Sequence, residues 1–225
     1  MKYYIFSPIG RTGSKRIFVP LSTAIKDDVG DSAHFSIGYG SNTCTLLRGG
    51  QANENHDSDI LDTWENSVAV HSHSHECMPT SSSDWTFVLS SRKRKVDAAL
   101  SRLVALESQV FHPLRITNKK EDFAPFEVYH QDVTALIEEH IAKENAFVEK
   151  VTAMGGTPVV IYMEDSFATV QEKLGKSFNE GAIVHDTNTI SNLKAADYVT
   201  NYDAIQAMYD ENLADYQSRF FSDTE

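Results

Sequence analysis

The sequence predicts an α/β fold: a central, mostly parallel β-sheet with helices on both faces and an inserted β-hairpin. Three observations predict it. Four apolar runs have the length of buried strands, apolar stripes at helical spacing follow them, and a glycine-bearing turn succeeds the first run. Strands that alternate with helices form parallel sheets, because a crossover helix covers the sheet it returns to.

The predicted strands are residues 2–7, 67–73, 85–90 and 158–163. Val96, Ala99, Leu100, Leu103 and Leu106 recur at helical spacing, as do Val133, Ile137, Ile141, Val148 and Val151. Phe167, Val170 and Leu174 form a third stripe, closed by Gly175 as a left-handed cap. Tyr202, Ile205, Tyr209 and Leu213 form the last, predicting a C-terminal helix over about 201–216. Residues 111–117 and 123–130 flank a polar Asn118–Asp122 tip and predict the inserted hairpin, over about 111–130. Residues 49–59 are rich in Gly, Asn and Asp and read as a loop, within a longer loop region over 29–66.

The 225 residues suit one large domain, 1–225, and at 41% hydrophobic they can bury a core, which excludes a disordered acidic polymer. The formal charge of -12 excludes a general nucleic-acid or anionic-membrane binder. Residues 1–120 carry 14 basic and 12 acidic side chains, and residues 121–225 carry 6 and 20. The basic residues of the first part cluster around Arg11–Arg16 and Arg92–Lys95, a pattern suited to a small anionic ligand. The N-terminus lacks the pattern of a signal peptide, and no apolar run reaches the length of a membrane span. Cys44 and Cys77 form no CxxC or disulfide framework, so a reduced, cytoplasmic setting is expected.

After the first strand the chain reads Pro8-Ile9-Gly10-Arg11-Thr12-Gly13-Ser14-Lys15-Arg16. A glycine-bearing turn between a strand and a helix lets backbone N–H groups converge on one anion, and the helix adds its positive end. Arg11, Lys15 and Arg16 add charge, and Thr12 and Ser14 add hydroxyls. GxxxxGK[ST] is absent, so Mg²⁺-dependent nucleotide chemistry is the second choice. Pro20 is expected to break or kink the helix that starts near Ser14, leaving it short or resuming over 22–28. The second cluster, Arg92-Lys93-Arg94-Lys95, also follows a strand, where Arg92 or Lys93 is placed for a second phosphate with Ser101 about two turns further on.

The two segments together resemble the nucleotide motifs of the sulfotransferases that use 3′-phosphoadenosine-5′-phosphosulfate (PAPS). Arg11-Thr12-Gly13-Ser14 resembles the core of the loop that binds the 5′-phosphosulfate. Lys93 and Ser101, eight positions apart, resemble the pair that binds the 3′-phosphate, with Arg92 as a substitute. Tyr162-Met163-Glu164-Asp165 resembles the strand end that precedes the family's short glycine-closed helix. The hairpin and the closing helix fit smaller bacterial and viral members. The resemblance implies a three-layer P-loop-like fold, PAPS as donor with 3′-phosphoadenosine-5′-phosphate (PAP) as product, and an acceptor that is a small molecule or glycan. It implies no nucleic-acid or membrane partner and a cytoplasmic site of action, in the host cell for a viral member. Oligomeric state stays open.

Val70-His71-Ser72-His73-Ser74-His75-Glu76 alternates, so on a strand His71, His73 and His75 share one face. Such a row suits a general base, an exposed polar strand end or a metal site. Likeness to the family's catalytic histidine assigns the base to His73, with His75 as fallback. Arg11 and Lys15 would neutralise the charge that grows on the leaving phosphate, and no metal is required. The alternatives are an ATP-dependent P-loop-like phosphotransferase, and a non-enzymatic α/β protein that binds metal through the histidine row.

Overall fold

In the computed structural model, the residues described are 2–29, 34–37, 44–48, 51–56, 58–63, 67–76, 78–108, 124–178 and 194–211. They form two compact units: Met1–Lys93 with Ala142–Asn188, and Arg94–Ile141 with Thr189–Glu225.

The first unit is the α/β sheet structure. Its strands are β1 (Lys2–Phe6), β2 (His34–Ile37), β3 (Cys44–Arg48), β4 (Gln51–His56), β5 (Val68–Ser72), β6 (Trp85–Ser91) and β7 (Val159–Tyr162). They lie in the order β4-β3-β2-β5-β1-β6-β7. From β2 to β7 every neighbouring pair is parallel, while β3 and β4 add an antiparallel edge. In the central strand β1, Tyr3–Phe6 are apolar and buried because both faces are covered. Tyr4 and Phe6 point to one face, where they pack with Val70, Phe87, Leu89, Phe147 and Val151. Tyr3 and Ile5 point to the other, against Ile17, Leu21, Ile25, Val170 and Leu174. The first face is covered by the end of α3 (His130–Ala153), and the second by α1 (Ser14–Val29) and α4 (Phe167–Leu174). These are the three layers expected from the sequence.

α4 starts where the Ser166 side chain accepts a hydrogen bond from Thr169 N–H, and it ends at Gly175 with φ 59°. There the N–H groups of Gly175 and Lys176 bond back to Glu172 and Gln171, closing the last turn.

Several expectations are corrected. α1 runs unbroken through Pro20. The turn that lacks the proline's N–H is also held by the hydroxyls of Ser22 and Thr23, each 2.9 Å from the Val19 carbonyl. The region read as loops, 29–66, contains three strands, one of them in the 49–59 segment: β4 pairs antiparallel with β3. Gln51–His56 is polar in sequence, as an edge strand tolerates, so no period marks it.

The second unit is helical: α2 (Lys95–Ser108), the first part of α3, α5 (Ala195–Tyr198) and α6 (Tyr202–Glu211). Val96, Leu100, Val104, Val133, Ile137, Tyr198, Ile205 and Tyr209 form its core. Leu106, placed on the buried stripe by its spacing, is 39% exposed. The first arm of the predicted hairpin, 111–117, lies outside the described residues, as do Leu213 and the rest of the C-terminal helix beyond α6. In the second arm, 123–130, no described residue belongs to a strand. Phe126 makes a single parallel bridge to Val199, and His130 opens α3. The backbone of this segment is taken up by residues 198–201 instead: Phe126 N–H bonds Tyr198 O at 2.8 Å, and the Asn201 amide bonds Val128 N–H and C=O.

Candidate functional site

In a parallel sheet the strand ends that carry ligand loops all lie at one edge. The strand order reverses between β1 and β5: the chain leaves β1 for β2 on one side and leaves β5, the neighbour of β1 on that side, for β6 on the other. The loop 7–13 that follows β1 has left-handed backbone at Gly10 (φ 73°), Arg11 (φ 60°) and Gly13 (φ 81°). Gly13 is required twice over. Beyond its φ, a Cβ there would meet Met163 Cγ at 3.0 Å.

The loop is fastened from beneath by a buried hydroxyl network. Thr12, fully buried, bonds Ser7 Oγ at 2.8 Å and Ser90 Oγ at 3.2 Å through its Oγ1, and Ser90 Oγ also donates to the Thr12 carbonyl. Ser14 Oγ lies 2.8 Å from His71 Nε2, with both side chains buried. The two hydroxyls expected to face an anion therefore bond inward. Arg16 opens the helix with its N–H on the Gly13 carbonyl at 2.9 Å, while its Nη1 donates to the Met163 carbonyl at 2.6 Å. Arg11 and Lys15 are half-buried.

The second basic cluster divides. Arg92 and Lys93 belong to the first unit, and Arg94, Lys95 and Ser101 to the second. Arg92 Nε donates to the Arg11 carbonyl at 2.9 Å. Lys93 is exposed; its N–H bonds Glu164 and its ammonium lies 5.8 Å from the centre of the Tyr162 ring. Arg94 bonds Gln206 and Asp210 on α6, Lys95 is buried, and Ser101 lies half-buried on α2. At the end of β7, Asp165 accepts from Tyr162 N–H at 3.0 Å and from Lys173 Nζ at 2.7 Å. Burial pushes the Asp165 carboxyl up, but these bonds, with the nearby Lys173 and Lys93 charges, hold it below the usual carboxylate range.

The histidine row shares a face only in part: the rings of His71 and His73 meet edge-on, 4.6 Å apart, whereas His75 turns away. β5 ends at Ser72, because Ser72 Oγ bonds the backbone of Ser74 at 2.8 and 3.0 Å and turns the chain. His71 therefore lies beside Phe18 of α1, whereas His75 meets Phe6, on the α3 side, edge-on. His73, edge-on to His71, donates through its Nδ1 to the Ser7 carbonyl at 2.9 Å. Burial lowers the His75 pKa, Lys150 and Lys143 lower it further, and Glu76 opposes them. Among the described residues no group of three His, Cys, Asp or Glu side chains could hold a metal ion. No described helix is long and apolar enough to cross a membrane.

Ser7, Ser90 and Met163 did not stand out in the sequence. The signal that finds the two serines is position: each is a small polar residue at the carboxyl end of an apolar run beside the glycine loop. The site thus joins a left-handed loop, a helix start with Lys15 and a tethered imidazole at the switch point of a parallel α/β sheet. Compared with protein-family models, curated proteins and solved structures, the chain matches none.

Proposed function

We propose that the chain is a PAPS-dependent sulfotransferase whose β1–α1 loop cradles the 5′-phosphosulfate. One observation carries this: three left-handed residues, Gly10, Arg11 and Gly13, directly after the central strand and opening onto the start of α1. Such backbone turns N–H groups toward a common centre, and a helix start has amides without intrahelical acceptors. The donor set fits the group: backbone amides, Arg11 and Lys15 for the 5′ end, and Lys93 at the end of β6 for a second phosphate.

His73 is favoured over His75 as the base. A carbonyl only accepts, so the bond to Ser7 O puts the proton of a neutral imidazole on Nδ1 and makes Nε2 the acceptor. His73 Nε2 would take the acceptor's proton as the acceptor's oxygen or nitrogen bonds to sulfur and the bond from sulfur to the phosphate oxygen breaks. Arg11, Lys15 and the loop amides would stabilise the electron pair left on phosphate, as preorganised charge does best. The ends of β1, β5 and β6 carry Ser7, Ser72 with His73, and Ser91 with Arg92, while Glu164 and Asp165 at the end of β7 accept from Lys93 N–H and from Tyr162 N–H and Lys173, and Glu144 accepts from Ser91 Oγ. The absent GxxxxGK[ST] loop supports sulfuryl transfer over a Mg²⁺-nucleotide phosphotransferase.

The test is formation of PAP from PAPS with panels of alcohol, amine and glycan acceptors. Turnover is expected with one class, and His73→Gln should lower it about 10²–10⁴-fold while retaining PAP binding. No turnover with any class, or equal turnover by His73→Gln, would count against the proposal.

A further inference from the structure

Arg92 has two available roles, as a ligand for phosphate or as a part of the cradle itself. Its Nε donates to the carbonyl of Arg11, the one described non-glycine residue with left-handed backbone. A residue with a Cβ holds that conformation only where its surroundings impose it. Around the loop, the ends of β6 and β7 and the start of α1 are tied to one another. Met163 N–H bonds the Ser91 carbonyl at 2.9 Å, the Met163 carbonyl receives Arg16 Nη1, and the Met163 side chain fills the space above Gly13. Two arginines thus spend a donor on backbone carbonyls around the loop, and the Arg92 bond joins the end of β6 to the strained residue.

We propose that Arg92 is a positioning residue that holds Arg11 in its left-handed conformation, and that Lys93, exposed beside it, is the cluster's ligand-facing cation. What Arg92 supplies to the loop is a hydrogen-bond donor, and a neutral donor can supply it too. A phosphate ligand would instead require the charge. The part concerning Lys93 rests on the sulfotransferase proposal above, whereas the brace itself does not.

Three variants, Arg92→Gln, Arg92→Met and Lys93→Met, test this with two readouts. The first is hydrogen exchange of the peptide covering residues 7–16 in ligand-free protein, with melting temperature as the check on folding. Arg92→Met should speed exchange of this loop by about tenfold, the worth of one such bond. Arg92→Gln should stay close to the parent, and Lys93→Met should match it. The second readout is PAP affinity by calorimetry. Arg92→Met should lose about tenfold, Arg92→Gln should recover most of that loss, and Lys93→Met should weaken binding with a shallower salt dependence. Unchanged exchange in Arg92→Met would overturn the brace. Arg92→Gln binding PAP as poorly as Arg92→Met, with its loop intact, would make Arg92 the phosphate ligand and overturn the assignment. A parent protein that binds no PAP would defeat the sulfotransferase proposal alone, since the exchange result still decides the brace.

Discussion

Arg11 holds a left-handed backbone that costs a side-chain-bearing residue about 1–2 kcal/mol. Replacing it with glycine separates structure from binding. Arg11→Gly should leave stability level or raise it by up to about 1 kcal/mol, because relief of strain outweighs or balances the entropy glycine loses. The same change should weaken PAP at least about tenfold, through the lost charge. Urea denaturation and calorimetry on one preparation check both halves. His75 gives a second residue-scale prediction. Burial holds its folded pKa below the unfolded ~6.5, so the unfolded chain binds more protons as pH falls past that value, and stability drops. His75→Phe keeps a ring beside Phe6 and removes the titration. Its loss of stability between about pH 7 and pH 5.5 should be smaller than the parent's. The histidines also mark where sequence stops informing. Alternation placed all three on one face, but β5 ends at Ser72 in the Ser72–Ser74 turn, so His73 stays beside His71 while His75 leaves that face. That turn rests on a serine hydroxyl, a signal too weak to outweigh an uninterrupted alternation.

At the scale of elements, the loop 7–13 and the β7–α4 corner are fitted to each other. Gly13→Ala would impose both a positive φ and a contact at 3.0 Å with Met163, costing about 1–3 kcal/mol. Adding Met163→Ala should recover the part due to contact but not the part due to φ, a split that melting curves of the single and double variants would expose. At the corner, Asp165 ties Tyr162 N–H to Lys173. Its folded pKa is depressed below the unfolded ~3.9. Its contribution is thus present above that value and lost as pH falls through the folded one. Asp165→Asn should cost about 1–3 kcal/mol at neutral pH and flatten the acid limb of the stability profile. Strands β1, β5 and β6 were legible because strands buried on both faces are continuous apolar runs, and β7, half-buried at the edge, was legible from its Val-Val-Ile-Tyr run. The helix 167–174 was legible from its stripe and its glycine cap. β2, β3 and β4 were not. Gln51–His56 carries no apolar period, and a polar edge strand is specified by its neighbour rather than by itself.

At the scale of the molecule, the sheet unit holds the loop 7–13 and the helical unit has a core of its own. The sequence located the glycine turn between the first strand and first helix, since glycine and clustered charge are visible in one dimension. It misjudged the direction of side chains. Thr12 and Ser14 bond inward and Arg92 reaches a carbonyl, because such choices depend on Ser90, His71 and Arg11. These lie within hydrogen-bond reach only once the sheet has formed. The net charge of -12 likewise conceals a small basic surplus over residues 1–120, and two clusters of that surplus follow β1 and β6.

The central claim, a PAP-shaped anion cradle at the end of β1, is tested most directly by calorimetric titration of the parent chain and Arg11→Gly with PAP and with ATP–Mg²⁺. One PAP should bind per chain, at least about tenfold more tightly than ATP–Mg²⁺ (about 1.4 kcal/mol), with that binding lost in Arg11→Gly. ATP–Mg²⁺ binding as tightly as PAP, or PAP binding alike to the parent and to Arg11→Gly, would contradict it.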